Sequence, residues 1–261
     1  MSNGQLRKHE RFRSRFLRNQ RDIVVYLPPG YDEQRSRRFP VLYLQDGQNL
    51  FDGATSFVPG MYWRMRETAD ECIGAGVVQP VVIVGIYNGG KTRINEYTPT
   101  KDARAGGGRA DRYAKFLLEE VMPFVQREYR VLTGETFTGI GGSSLGGLAS
   151  LYIGLSFPET FGRIAALSPS IWWDQRAILR FAREITGEIR PRMWLDAGTG
   201  EGSRTVKDAE QLRDVLLRKG WRLGQDLHYE RVEGAEHNEA AWAQRVGPFL
   251  QFLFPAGEGK V

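Results

Sequence analysis

The sequence predicts an α/β fold: a mostly parallel central sheet flanked by helices, with a nucleophile elbow at its centre. Three observations carry this. Short apolar runs of strand length alternate with longer runs of helical period, the order expected of parallel strands joined by crossover helices. A Gly-x-Ser-x-Gly match at residues 142–146 stands where a β-rich run gives way to a small-residue helical one. The length of 261 residues, 41% hydrophobic and 26% charged, is that of a globular chain able to bury one sizeable core.

The elements follow in order. Residues 1–20 read as a basic N-terminal arm on a single domain spanning 1–261. Strands are expected at 23–27, 40–45, 81–86, 136–140, 163–167, 193–196 and 226–232, where β-branched and aromatic residues cluster between turn formers. Pro28-Pro29-Gly30 ends the first of them. Helices are expected at 62–73, 110–126, 145–156, 204–219 and 239–254; all but the apolar 145–156 show one apolar face. The glycine-rich stretch 88–108 is too long for an idle loop in a compact domain and reads as functional.

The net charge of +5 is unevenly placed. Residues 1–38 hold ten basic and four acidic side chains, a local +6 that leaves −1 for the other 223 residues. A nucleic-acid or anionic-surface binder would work through that basic end, yet the body of the chain is nearly neutral. The same end lacks the apolar core of about 7–15 residues that a secretion signal needs, and no uninterrupted apolar run approaches membrane-spanning length. The one cysteine, Cys72, permits no intrachain disulfide. A cytoplasmic protein is the expectation.

Ser144 is the candidate nucleophile. On a sharp strand-to-helix turn its neighbours must be small, and a helix N-terminus favours the negative charge that develops there. A serine needs a base, and there are three histidines. His9 falls in the basic arm and reads as solvated; His228 falls inside a strand-like run. His237 follows the last strand, where a serine–acid–histidine chain order puts the base. The acid should come between them. Asp196 ends a strand and Glu201 follows it in a loop, and Glu201 is preferred because a loop-borne carboxylate reaches further; Asp208 reads as an exposed helix carboxylate. Two backbone N–H groups should form an oxyanion hole, from Leu145 after the nucleophile and Gln48 after the second predicted strand.

These residues resemble the esterase-D-like α/β-hydrolases, the group of enterochelin esterases, feruloyl esterases and S-formylglutathione hydrolases. The resemblance spans about residues 20–255 and rests on Val25-Tyr-Leu-Pro-Pro-Gly-Tyr31, Leu44-Gln-Asp-Gly-Gln-Asn-Leu-Phe51, Gly142-Ser-Ser-Leu-Gly-Gly147, Ser168-Pro-Ser-Ile-Trp-Trp173 and Gly234-Ala-Glu-His-Asn238. It implies an α/β-hydrolase fold and a serine carboxylic-ester hydrolase working through an acyl-enzyme. The feruloyl-esterase pattern, which sets the acid shortly after a Gly-Thr, implies Glu201 in this chain.

The substrate expected is a small-molecule ester of a small acid, aromatic or sugar-linked, with no metal, cofactor, nucleic acid or membrane; a homo-oligomer is compatible with the sequence. Trp173 is expected to wall the pocket as a stacking face, while for Trp172 a place in the core and one at the pocket stand equal. Arg93 and Tyr97, from the glycine-rich segment, are expected to overhang the elbow as substrate-binding residues, Arg93 either pairing with an anionic or phenolic group or standing as a surface arginine. An acyltransferase or a non-catalytic binding protein on the same scaffold are the competing readings.

Overall fold

Described by a computed structural model over residues 3–258, the chain gathers its strands into one eight-stranded sheet and a small hairpin. The first half contains β1 (Gln5–Arg13), β2 (Gln20–Leu27), β3 (Val41–Gln45), α1 (Met65–Gly74), β4 (Val82–Ile86), α2 (Arg93–Tyr97), β5 (Lys101–Asp102), β6 (Gly106–Gly107), α3 (Ala110–Phe116) and α4 (Met122–Glu128). The second half contains β7 (Thr138–Ser143), α5 (Leu145–Ser156), β8 (Arg163–Leu167), α6 (Trp173–Glu184), β9 (Arg192–Gly198), α7 (Ser203–Arg218), β10 (Leu227–Val232), α8 (Glu239–Ala243) and α9 (Val246–Leu253).

The sheet order is β1-β2-β4-β3-β7-β8-β9-β10. The pairs from β4 to β10 are parallel, while β2 is antiparallel to both β1 and β4. This is the mostly parallel sheet of an α/β-hydrolase. Because side chains alternate across a strand, Val41 and Tyr43 join the core that contains α5, while Leu42 and Leu44 join the core containing α1 and α9. Both faces of the sheet are therefore covered, and its central strands are apolar throughout.

Four local expectations need correcting. The basic arm is mostly the edge strand β1, whose Phe12 packs on Phe116 and Phe124. A bulge between His9 and Phe12, with Arg11 at φ 53°, breaks the two-residue alternation that would have revealed a strand. The expected helix 110–126 is interrupted by a π-turn at Leu117–Val121, just before Pro123, which has no N–H to continue the ladder. The last helix divides at Gln244–Arg245 for the same reason: Pro248 cannot donate to the turn before it, so α9 starts afresh at Val246. The stretch 88–108 is not loop throughout but holds α2 and the β5–β6 hairpin, and α6 was not anticipated.

The turn after β3 lies directly against the end of β4. A Cβ on Gly47 would lie 2.4 Å from the Gly85 carbonyl carbon and 2.6 Å from the Ile86 nitrogen, both backbone of β4. Gly47→Ala is therefore expected to cost about 1–3 kcal/mol through overpacking. An unchanged urea midpoint would contradict this account of the turn.

Candidate active site

The ends of β3, β7, β8, β9 and β10 open onto the carboxyl edge of the sheet, where open α/β sheets bind ligands. The turn after β7 carries Ser144 at φ 57° and ψ −125°, a conformation costly for any residue with a side chain. Its N–H donates to Leu167 O at 3.0 Å, and its carbonyl accepts from Ser170 N and Leu148 N, both at 3.0 Å. Those bonds hold the elbow between β8 and α5. Its flanking residues have no room: a Cβ on Gly142 would lie 2.9 Å from the Gly146 carbonyl carbon, and one on Gly146 3.0 Å from Asp46 Oδ2.

Ser144 Oγ lies 2.9 Å from His237 Nε2, and His237 Nδ1 lies 2.7 Å from Glu201 Oε2. His237 is partly open to solvent, while the Glu201 carboxylate is 2% exposed. The two loops are laced together. Gly200 N donates to Ala235 O at 3.0 Å, and Gly234 N to Thr199 Oγ1 at 2.8 Å. Burial alone would raise the Glu201 carboxyl, but hydrogen bonds from His237, Ser168 and the Gly198 N–H hold it below the ordinary glutamate value. Asp196, the other carboxylate, is bonded to Ser168 N, Trp194 Nε1 and Arg245 Nη1 rather than to the imidazole. It is fully buried, ion-paired with Arg245 at 2.7 Å, and pushed up to about 6 because burial outweighs that pairing.

The other two histidines are engaged elsewhere. His9 is not solvated: its Nε2 lies 2.5 Å from Tyr129 Oη, and its ring meets Phe124 edge-on. His228 stacks on Trp194 with centroids 4.1 Å apart. Asp208 is likewise buried, paired with Arg176 at 2.6 Å.

A cavity of about 250 Å³ opens beside Ser144 and His237. Phe57, Val58 and Trp242 form its apolar lining; Asp46, Gln48, Asn88 and Arg93 are polar. Arg93 is clamped by Asp46, Nε to Oδ1 at 2.8 Å and Nη2 to Oδ2 at 2.7 Å. Burial would lower the guanidinium, yet Asp46 outweighs it and holds it firmly charged. Gln48 follows Asp46, itself at φ 55°, and its Oε1 accepts from Asn88 N at 3.2 Å, which pins the turn. Leu145 is the first residue of α5, where a backbone N–H has no intrahelical acceptor.

Two expected pocket residues are not on this wall. Tyr97 is fully buried beneath Arg93, whose guanidinium sits 5.1 Å from its ring centroid, and its hydroxyl accepts from Asp46 N at 3.2 Å. Trp173 is 2% exposed and donates Nε1–H to Thr100 O at 2.9 Å, whereas Trp172 is 49% exposed. The indole expected at the pocket is inside, its buried N–H satisfied by Thr100 O, and its neighbour is the one that reaches solvent. Phe57, Val58, Asn88 and Trp242 were not anticipated. Phe57 and Val58 lie in a Gly/Pro-rich loop, and nothing in their spacing points at the site.

The family described as "Putative esterase" matches residues 14–252. The chain belongs to this family. An uncharacterized protein of Bacillus subtilis, YbbA, is 26% identical over 96% of each chain. A siderophore triacetylfusarinine C esterase of Aspergillus fumigatus is 30% identical over 69% of this chain and 63% of its own length. The crystal structure of the BES protein from Bacillus cereus superposes with a TM-score of 0.77 at 22% identity, covering 97% of this chain and 95% of that one. The esterase is a carboxylic ester hydrolase. None of its described helices is long and apolar enough to cross a membrane.

Two outcomes test these placements. Trp173→Ala in the esterase should cost about 3–5 kcal/mol of stability, as truncation of a core indole does, while Trp172→Ala should cost far less. Because the Glu201 carboxyl is lower in the folded than in the unfolded chain, its ionisation stabilises the fold above the unfolded value, and that stability is lost as pH falls through the folded one. The stability gap between wild type and Glu201→Gln, read by urea unfolding, should therefore narrow as pH drops below about 4.

Proposed function

We propose that the esterase cleaves its substrate by two-step acyl transfer through Ser144, His237 and Glu201. The observation that carries this is the unbroken relay of 2.9 Å and 2.7 Å from hydroxyl to imidazole to carboxylate. Ser144 Oγ attacks the ester carbonyl as His237 Nε2 takes its proton, and Glu201 steadies the imidazolium through Nδ1. The backbone N–H groups of Leu145 and Gln48 receive the oxyanion, a contribution of about 3–4 kcal/mol for each donor. His237 returns the proton to the leaving alcohol, then activates water to release the acid. Its partial exposure suits delivery of water rather than of a bulky acceptor alcohol.

The cavity supports a compact group with one apolar face and one polar or anionic substituent. Phe57, Val58 and Trp242 suit the first and the Asp46-clamped Arg93 the second. A small aromatic or sugar-linked acid has this character, and one relative is named for a siderophore ester. A reducing, cytoplasmic setting suits a chain whose one cysteine has no intrachain partner.

Ser144→Ala should lower turnover of p-nitrophenyl acetate by at least about 10⁴-fold and abolish labelling by a fluorophosphonate. Labelling that survives the substitution would overturn the assignment. A panel of acetyl, feruloyl and catecholate esters then ranks the acyl group, and Arg93→Leu should weaken KM selectively for the acids that carry an anion or phenol.

A further inference from the structure

Behind Glu201 lies a second layer of charge that the proposed reaction does not use. Arg245, 2% exposed, occupies the break between α8 and α9 that Pro248 imposes. Its Nη1 donates to Asp196 Oδ1 at 2.7 Å and to Ser168 Oγ at 2.9 Å. The same Ser168 oxygen accepts Trp242 Nε1–H at 3.3 Å, so both its lone pairs are spoken for and its one hydrogen goes to Glu201 Oε1. Gly198 N–H adds a second donor to Oε1 at 3.0 Å, which leaves Oε2 facing His237. Arg245 Nη2 stands 3.8 Å from Glu201 Oε1, and it and Nε are buried with no hydrogen-bond partner among the described residues. One guanidinium thus serves two carboxylates, hydrogen-bonded to Asp196 and only electrostatically coupled to Glu201.

We propose that Arg245 and Asp196 are a positioning pair that sets how much negative charge Glu201 presents to His237, and so the pH at which His237 begins to act as a base; this rests on the Ser144–His237–Glu201 reading. Arg245 offsets part of the Glu201 charge as felt by the imidazolium. Asp196 offsets Arg245 in turn. Loss of the Arg245 charge should hold the proton on His237 more tightly, and loss of the Asp196 charge should release it sooner. The interactions are strong because all three groups lie in a water-excluded interior.

The groups facing Asp196 from each packed element are few. Arg245 comes from the α8–α9 break and Glu201 from the turn after β9, with His237 beyond it. From β10 come Tyr229, whose hydroxyl feels the Asp196 charge, His228 on the far face of Trp194, and Glu230, the register partner of Asp196. Apart from Arg245 itself, none of these changes between the variants below. Asp196 itself is held high by burial against the pull of Arg245.

The test is the pH dependence of the second-order rate at which a fluorophosphonate labels Ser144 in the full chain. Relative to wild type, Arg245→Met should move the acidic limb up by about half a pH unit or more, and Asp196→Asn should move it down by a similar amount. Arg245→Lys, which keeps the charge, should stay near wild type, and the double variant should return toward it. Limbs that stay put, or that move in the same direction in folded single variants, would reduce the pair to a structural role and overturn the proposal. If Arg245→Met does not fold, Asp196→Asn decides alone, because it keeps the shape of the buried side chain. A wild type that fails to label at all refutes the serine reading instead, and the two failures are distinct.

Discussion

Ser144 holds a backbone conformation of φ 57° and ψ −125° that a residue with a side chain adopts only under constraint, at a cost on the order of 1–3 kcal/mol. The constraint is distributed. Leu167 O, Ser170 N and Leu148 N fix the peptide groups on either side, and the Gly142 and Gly146 backbones approach too closely for any other residue. Behind the turn, β7 is buried along its whole length between β3 and β8. The rigidity of the sheet sustains the strain, and the strain lifts one hydroxyl clear of the sheet and toward His237. Without it, the loops after β9 and β10 would meet in front of an ordinary turn.

Those two loops are coupled as firmly as the elbow is strained. A Cβ on Gly198 would meet Ala235 O at 2.2 Å, so the chain beside Glu201 lies directly on the chain beside His237. The imidazole–carboxylate contact is therefore not a chance meeting of two surface loops. Its buried side is closed by Ser168, Trp242 and Arg245, and only the imidazole reaches solvent. Charge is inside and proton exchange is outside, which is the arrangement a general base needs.

What the sequence made legible was whatever depends on local covalent geometry. Glycines flanking a serine between β-rich and small-residue runs mark a sharp turn, and loop positions after successive strands mark one edge of a parallel sheet. The meeting of Ser144, Glu201 and His237 at that edge follows from chain order. What stayed hidden depends on which neighbour wins a side chain. Trp172 and Trp173 are adjacent and chemically identical, and a carbonyl at Thr100 decided which was buried. Tyr97 and Arg93 lie one helical turn apart, yet only the arginine faces the cavity, because Asp46 clamps it there. Arg245 draws no attention inside the expected helix 239–254, and the proline three positions on divides that helix and leaves the arginine buried.

The opening charge excess also takes its meaning from position. Much of it lies on β1, at the end of the sheet, where one row of backbone N–H and C=O groups has no neighbouring strand. Such an edge is a template on which another chain can add a strand, and it is most dangerous when apolar. Here Arg7, Lys8, Arg11 and Arg13 project from it into solvent, so any second copy that approached edge to edge would bring like charges together. Like charge along an exposed edge disfavours pairing with the same edge of a second copy, so the basic residues at the front of the chain guard the sheet rather than serve a chemistry that lies several strands away.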